Sequence, residues 1–530
     1  MDVQDHHPLT LRQRIGLFNP MLAFLTVFVS LAAFNFGYDV GTFGGVQGMK
    51  AFAQKFGRYE EDAKLWALPA YLSSIMTSTP FLGKLMGTLS CGPAAERYGR
   101  KIAIMMLACI SLVGVTLQVA ATTAAQFTVG RVINFAMTGF TIVVIPIFQS
   151  ECAPPALRGM ISATLQLQIG FGQLVASLVN YGTKGMDGDA SWLIPTGLQL
   201  VVPVIILGLL PMLPESPRWL MARGRKDEAL KAMVKLRKKG VPIELLQEEM
   251  ELLASSDTNQ GKGTWKEIFQ GVNRRRTTIA VTAMFFQQIT GQAFVSQYAV
   301  IFYQRQKIPN PFGMSVIQTV VGLVTVTFTS LVVDSFGRRG PKANGDQFRP
   351  ILLTGASFMA LFLFILGGVG TSHNPSTTQK NAMVASNILF GASYALSWAP
   401  LSYTILGETA TSRLKEKTNN LATSISVITT FVVSFTLPYL LNPPYAALGA
   451  RVGFIYGSIS AISVVVTWLL IPEMKGRSLE EVDEMFEKNI AVRRFRDYQS
   501  SGTGGVTTRE DSVGSEISSK SSTNAASHAV

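Results

Sequence analysis

The sequence predicts an all-α membrane protein, with twelve transmembrane helices in two pseudo-symmetric six-helix bundles. Three observations carry this. First, 48% of the 530 residues are hydrophobic and only 15% are charged, against about 25% charged in a soluble domain. Second, apolar runs of roughly 20 residues, the length that crosses a bilayer as a helix, recur along the chain. So many could not all be interior helices of one soluble domain. Third, short charged motifs recur in the same order in both halves. Gly92 to Lys101 (GPAAERYGRK) is echoed in shortened form by Asp334-Ser335-Phe336-Gly337-Arg338-Arg339. Glu151 with Arg158 is echoed by Glu408 with Arg413, and Pro214-Glu215 by Pro472-Glu473. Such internal repetition is a common way to build a membrane protein.

Residues 1–20 are polar and lack a cleavable signal pattern, so the first span is expected to act as an uncleaved insertion signal. The twelve expected spans are 21–41, 66–89, 101–121, 126–148, 161–181, 191–213, 278–303, 312–333, 350–371, 382–407, 418–441 and 452–472. They define an N-terminal bundle (21–213), a linker (214–277), a C-terminal bundle (278–472) and a tail (473–530). The net charge is +13, which on a soluble protein would suggest nucleic acid. Here Lys and Arg crowd into the loops 90–100, 149–160, 214–277, 334–349 and 408–417. The positive-inside rule puts these loops and both termini in the cytoplasm, and no nucleic-acid partner is expected. The loop 42–65 is mixed in charge. In the linker, Lys226 to Lys239 and Pro242 to Ser255 have helical composition, with Leu230, Met233, Val234 and Leu236 as an apolar stripe. These helices either bridge the halves or lie on the lipid surface. Arg274-Arg275-Arg276 is expected at the inner edge of span seven. From about residue 500 the tail is rich in Ser, Thr and Gly and is expected to be disordered.

Several chemistries find no residues to carry them. Cys91, Cys109 and Cys152 have no metal-ligand spacing, and the four histidines lie outside the apolar runs. There is no phosphate-binding Gly-x-x-x-x-Gly-Lys-Ser/Thr loop, no dinucleotide fingerprint and no nucleophile–His–acid set. Neither an enzyme, a bound cofactor nor ATP as energy source is expected.

A charge inside the bilayer is costly, so each one is a candidate for function. Asp39 ends span one and Arg131 opens span four. As neighbours they could take and release a proton. They could equally form a permanent salt bridge, or Asp39 could reach the outer interface. Lys84 in span two either snorkels to the cytoplasmic face or serves the interior. Glu96, Arg97, Arg100, Glu151, Arg158, Glu215, Arg218, Asp334, Arg338, Arg339, Glu408, Arg413 and Glu473 sit at inner span ends. They form either a gate of ion pairs or ordinary helix-end charge. Gln166, Gln168 and Gln173 on span five, with Gln287, Gln288, Thr290, Gln292, Ser296 and Gln297 on span seven, suggest a wet cavity. Amides both donate and accept, which suits a neutral polyhydroxyl ligand. Phe286, Tyr298, Tyr303, Trp398 and Tyr403 could offer flat faces to a sugar ring, although core packing is the commoner role of an aromatic.

Together these residues resemble the sugar porter family of the major facilitator superfamily, most of all its fungal members. The similarity spans about residues 20–490. It rests on Gly37-Tyr38-Asp39-Val40-Gly41, Gly92 to Lys101, Gly130-Arg131, Pro146 to Gly159, Pro214 to Leu220, Gln287-Gln288 with Gly291, and Pro472 to Arg477. The resemblance implies the major facilitator fold and alternating access. Asp39 and Arg131 match the family's proton-linked acid and its arginine partner, and Gln166, Gln287 and Gln288 match its sugar-binding amides. Ala293 stands where many hexose carriers have a sugar-binding asparagine, Tyr403 and Val427 where some have tryptophan, and Phe135 and Met137 where glycines are usual. Glu96 and Met474 are milder departures. The expectation is a monomeric plasma-membrane carrier of a hexose, disaccharide or related polyol, driven by proton symport, with sugar, protons and lipid as its partners. The alternatives are an uncoupled facilitator, a sugar sensor and an exporter of a secondary metabolite.

Overall fold

The computed structural model describes residues 19–495, apart from 62–64, 155–156, most of 238–262, 338–347, 373, 412, 473–478, 489 and 491–494. Eight helical stretches are long and apolar enough to cross a membrane: Pro20–Val46 (span one), Arg100–Val119 (three), Ala124–Cys152 (four), Ala190–Met212 (six), Pro311–Thr329 (eight), Pro350–Val369 (nine), Lys415–Leu441 (eleven) and Gly449–Leu470 (twelve).

The other four crossings are more polar or are broken. Span five is the amide-bearing helix Arg158–Thr183. Span two is Ala70–Ser78 continued by Pro80–Tyr98. Span seven is split into Gly271–Ile289, Gln292–Gln297 and Ala299–Arg305. Its first break falls at Gly291, whose φ of 100° is left-handed and natural only to glycine. Span ten is Thr377–Leu396 followed by Trp398–Thr409. Pro400 has no N–H to offer the carbonyl four residues back, so the ladder fails there.

Two apolar cores separate the halves. One is built on Leu25, Phe28, Ile104, Leu107, Phe140 and Phe148. The other is built on Phe286, Phe302, Met359, Phe390, Trp398 and Leu437. A small apolar contact of Phe81, Phe135 and Val427 joins them near mid-membrane. The spans alternate in direction, so spans one and twelve have their outer ends, Pro20 and Leu470, on one face. We call this the terminal face and its opposite the far face.

Several expectations shift. Span one continues to Val46 rather than 41. The loop after it holds a helix, Lys50–Phe56, and an antiparallel hairpin, Arg58–Glu60 with Leu65–Ala67. Phe52 and Phe56 pack on Phe127 and Trp192, so this segment is a cap on the far face rather than a plain loop. The expected linker helix runs from Lys226 to Leu236, but its buried face is Ala229, Ala232, Met233 and Leu236, and Val234 is exposed. Most of 242–255 lies outside the described residues. Arg274, Arg275 and Arg276 fall inside the helix Gly271–Ile289, so the linker ends near residue 270 rather than 277. At the start of the tail, Leu479–Glu487 is a helix whose Phe486 receives the guanidinium of Arg276 at 4.7 Å. The tail from residue 496, expected to be disordered from about 500, lies outside the described residues.

Candidate functional site

Asp39 and Arg131 are both buried in the N-terminal half, 1% and 2% exposed. They are near each other but make no ion pair. Neither Asp39 oxygen has a hydrogen-bond partner within the protein. Arg131 donates instead to the Met76 carbonyl at 2.7 Å, and its guanidinium lies 3.6 Å from the centre of the Phe43 ring. The reason is local. Pro80 cannot donate to the carbonyl of Met76, four residues back, which leaves that oxygen open in a buried site. Beside Asp39 runs a chain of polar side chains that tie spans one, three, four and six. Asn35 donates to Ser111 (3.2 Å), Ser111 to Asn134 (2.9 Å), and Asn134 to Gln199 (3.1 Å). Sequence reasoning passed over these four. Each is a polar residue within an otherwise apolar stretch, which is the signal that could have found them.

The predicted amides sit at two depths. Gln287 is buried and donates to the carbonyls of Ala399 (3.2 Å) and Trp398 (3.4 Å) just past the break in span ten. Gln288 is half-buried and donates to the Oε1 atom of Gln287 at 3.1 Å. Gln287 thus holds Gln288 in place. Gln166 is half-buried on span five. Tyr403, on the second helix of span ten, is 49% exposed. Tyr298 is buried, and its hydroxyl donates to the Ser434 carbonyl at 3.0 Å, so it clamps span seven to span eleven. A further polar set was missed: Asn387 donates to Tyr303 (2.7 Å), Tyr303 to Gln318 (3.1 Å), and Gln318 to the Val295 carbonyl (2.7 Å) in the broken span seven.

The Lys84 side chain lies against span one. The terminal end of its helix, Tyr98, is 14 residues further on, about 20 Å along the axis. Its Nζ lies 4.8 Å from the centre of the Phe36 ring in span one, deep in the molecule.

At the terminal face two motifs meet. Gly99, with φ of 100°, turns the chain from span two into span three. Glu215 then accepts from the backbone N–H of Arg100 (3.1 Å), of Lys101 (3.2 Å) and of Ser216 (2.8 Å). Burial pushes the Glu215 carboxyl above its ordinary range, against the pull of those amides and of Arg100. Arg100 makes a two-pronged pair with Glu151, at 2.8 and 2.9 Å. In the other half Arg413 pairs with Glu267 at 3.1 Å. Each of these two pairs stays on its own side of the molecule. Glu96 and Arg97 are exposed, and their carbonyls accept from Arg223. Arg218 and Glu408 are half-buried on this face. Arg338, Arg339 and Glu473, and the side chains of Arg158 and Asp334, lie outside the described residues.

At the far face, by contrast, the halves are bonded to each other. Gln47 donates to the Gln297 carbonyl (2.5 Å), Gln304 to the Gly48 carbonyl (2.8 Å), and Ser74 to the Phe435 carbonyl (2.5 Å). Ser177 and Thr319 share a hydrogen bond of 3.1 Å, and Arg305 pairs with Glu60 at 3.1 Å. None of these was singled out from sequence as a lock.

Buried charges, broken helices and a junction between two bundles define a membrane carrier rather than an enzyme. The chain belongs to the family described as Sugar (and other) transporter, which matches residues 25–486. It is 30% identical to the high-affinity gluconate transporter ght3 of Schizosaccharomyces pombe over 477 residues, 88% of this chain and 83% of that protein. Identity to the high-affinity hexose transporter ght4 of the same yeast is also 30%, with the same coverage. Among solved structures it is similar to the xylose transporter XylE from E. coli in a partially occluded inward-open conformation. The TM-score is 0.70 at 21% identity, covering 87% of this chain and 100% of that chain. XylE described as a proton:xylose symporter, bound to 6-bromo-6-deoxy-D-glucose, gives a TM-score of 0.67 at 22% identity, covering 88% of this chain and 99% of that chain.

Proposed function

We propose that the protein is a sugar carrier of the plasma membrane that works by alternating access and is driven inward by protons. Both termini lie in the cytoplasm on this reading, and one chain is the working unit. The observation that carries it is the Asp39 carboxylate, buried with no hydrogen bond while Arg131 is held by the Met76 carbonyl. A buried charge in that condition is a good place to put a proton. The carboxyl gains or loses its neighbour according to where Arg131 turns, and span two, which carries Met76, contacts span eleven of the other half. Protonation can therefore be felt at the junction of the halves. Bonds across the far face, with the Arg100–Glu151 and Arg413–Glu267 pairs each within one half, support a state open to the cytoplasm. The naming of related proteins as hexose and gluconate transporters, and of XylE as a proton:xylose symporter, supports a sugar cargo and proton drive.

Gln166, Gln288 and Tyr403 would meet the cargo on this reading, with Gln287 and Tyr298 holding the wall in shape. Arg97, Arg100, Arg338 and Arg339 would pair with Glu151, Glu215, Glu408 or Glu473 when the cytoplasmic side closes. Uptake of labelled sugars by transporter-null cells tests the proposal. Accumulation should collapse with a protonophore, and a protein located at the surface that takes up none of the sugars would overturn it.

A further inference from the structure

Outside the terminal two turns of each crossing, three residues carry charge: Asp39, Lys84 and Arg131. All belong to the N-terminal half. With Asp39 ionised, the interior carries one net positive charge. Arg131 is already occupied by the Met76 carbonyl and by the rings of Phe43 and Phe135. Lys84 is different. Among the described residues no carboxylate lies within ion-pair distance of it, and its contact is the Phe36 ring.

Its helix stripe leads to the cavity at the junction of the halves. Thr77, Phe81, Lys84 and Thr88 share one helical stripe. Thr77 and Phe81 line the small cavity at the junction of the halves. Phe36 stands one turn before Val40, which lines the same cavity. Lys84 is therefore about 5–10 Å along the helix from the residues that line that cavity, toward the terminal face. It is partly accessible although deep in the molecule.

We propose that the cargo is a monoanionic polyhydroxy acid, a sugar bearing a carboxylate, and that Lys84 receives that carboxylate. This rests on the sugar-carrier reading above. A lone cation in the bilayer interior is costly to keep. A cargo that neutralises it recovers that cost on binding. One ammonium without a carboxylate partner fits one carboxylate, whereas phosphate is usually met by several donors or a forked arginine. The hydroxyl groups would remain for Gln166 and Gln288. Electrical work gives a second reason. Carrying an anion into a negative compartment costs about 2.3 kcal/mol per 100 mV. One proton on Asp39 per anion makes the inward step electroneutral.

The test is uptake of labelled gluconate, galacturonate, glucose and glucose 6-phosphate by carrier-null cells expressing the full chain, with surface protein quantified. In the wild type, gluconate or galacturonate should compete at roughly tenfold lower concentration than glucose, the effect of one charge-assisted hydrogen bond. Lys84→Met should erase this preference and Lys84→Arg should keep it. If Lys84→Met fails to reach the membrane, thermal stabilisation of purified wild type decides, with gluconate expected to protect more than glucose. Equal or better uptake of glucose, a preference that survives in Lys84→Met, or stronger competition by glucose 6-phosphate each overturns the inference. Glucose uptake without acid preference leaves the sugar-carrier reading standing. Absence of uptake of all four by surface-located wild type removes both.

Discussion

The Asp39 carboxyl is buried with no hydrogen bond within the protein, beside an Arg131 held elsewhere. Both residues of the Asp39–Arg131 pair were legible in the sequence because a charge in an apolar run stands out. Their separation in this state was not legible. It depends on a carbonyl that Pro80 leaves free, and that requires knowing which helices touch. The same is true of the amides. Gln287 and Gln288 are adjacent in sequence but do different work: one binds backbone, the other is presented by the first. We therefore expect Gln288→Ala to raise the apparent KM with normal surface expression, by roughly 1–3 kcal/mol of lost binding. Gln287→Ala should lower both kcat and the amount of folded protein, because it leaves two carbonyls open at the break in span ten. Uptake kinetics together with surface quantification separates the two. Unchanged kinetics in Gln288→Ala would remove this residue from the site.

The elements were read well where they are uniformly apolar and poorly where they break. Eight spans were found as continuous runs. The segmentation of spans two, seven and ten escaped, because a 20-residue window averages over one glycine or proline. The cap formed by Lys50–Phe56 and its hairpin escaped for the opposite reason: its apolar residues are too few for any window and matter only through Phe127 and Trp192. The Gly99–Arg100 turn was recognised as a motif, but its partner was not. Glu215, 115 residues after Arg100, supplies acceptors to the open N–H groups of span three, as an N-cap residue would. We expect Glu215→Ala to destabilise the N-terminal bundle by about 1–2 kcal/mol. Glu215→Gln, which keeps an acceptor oxygen, should cost less. The midpoint of thermal unfolding of the detergent-purified protein measures both. Equal midpoints for Glu215→Ala and wild type would show that the cap carries no load.

At the scale of the molecule, the two halves are bonded at the far face, and the candidate gate of the terminal face is divided between them. The repeat of charged motifs pointed to the terminal face alone. Apart from the Arg305–Glu60 pair, the far-face lock is made of neutral amides, hydroxyls and carbonyls, which leave little trace in a sequence. We predict that Gln47→Ala combined with Arg305→Ala weakens that lock, moving the population of the far-face-open state roughly tenfold. A cysteine at Thr77, which lines the junction cavity, should then react faster with an impermeant thiol reagent added outside; an unchanged rate would mean that these contacts do not hold the face closed. The central claim, that proton binding at Asp39 drives the cycle, is tested most directly by uptake in wild type and Asp39→Asn, each with and without a protonophore. The account predicts that wild type concentrates cargo and loses this with the protonophore. It predicts that Asp39→Asn, fixed in a neutral form, keeps exchange or downhill flux but concentrates nothing. Accumulation by Asp39→Asn, or wild-type accumulation that survives the protonophore at fixed internal pH, would contradict it.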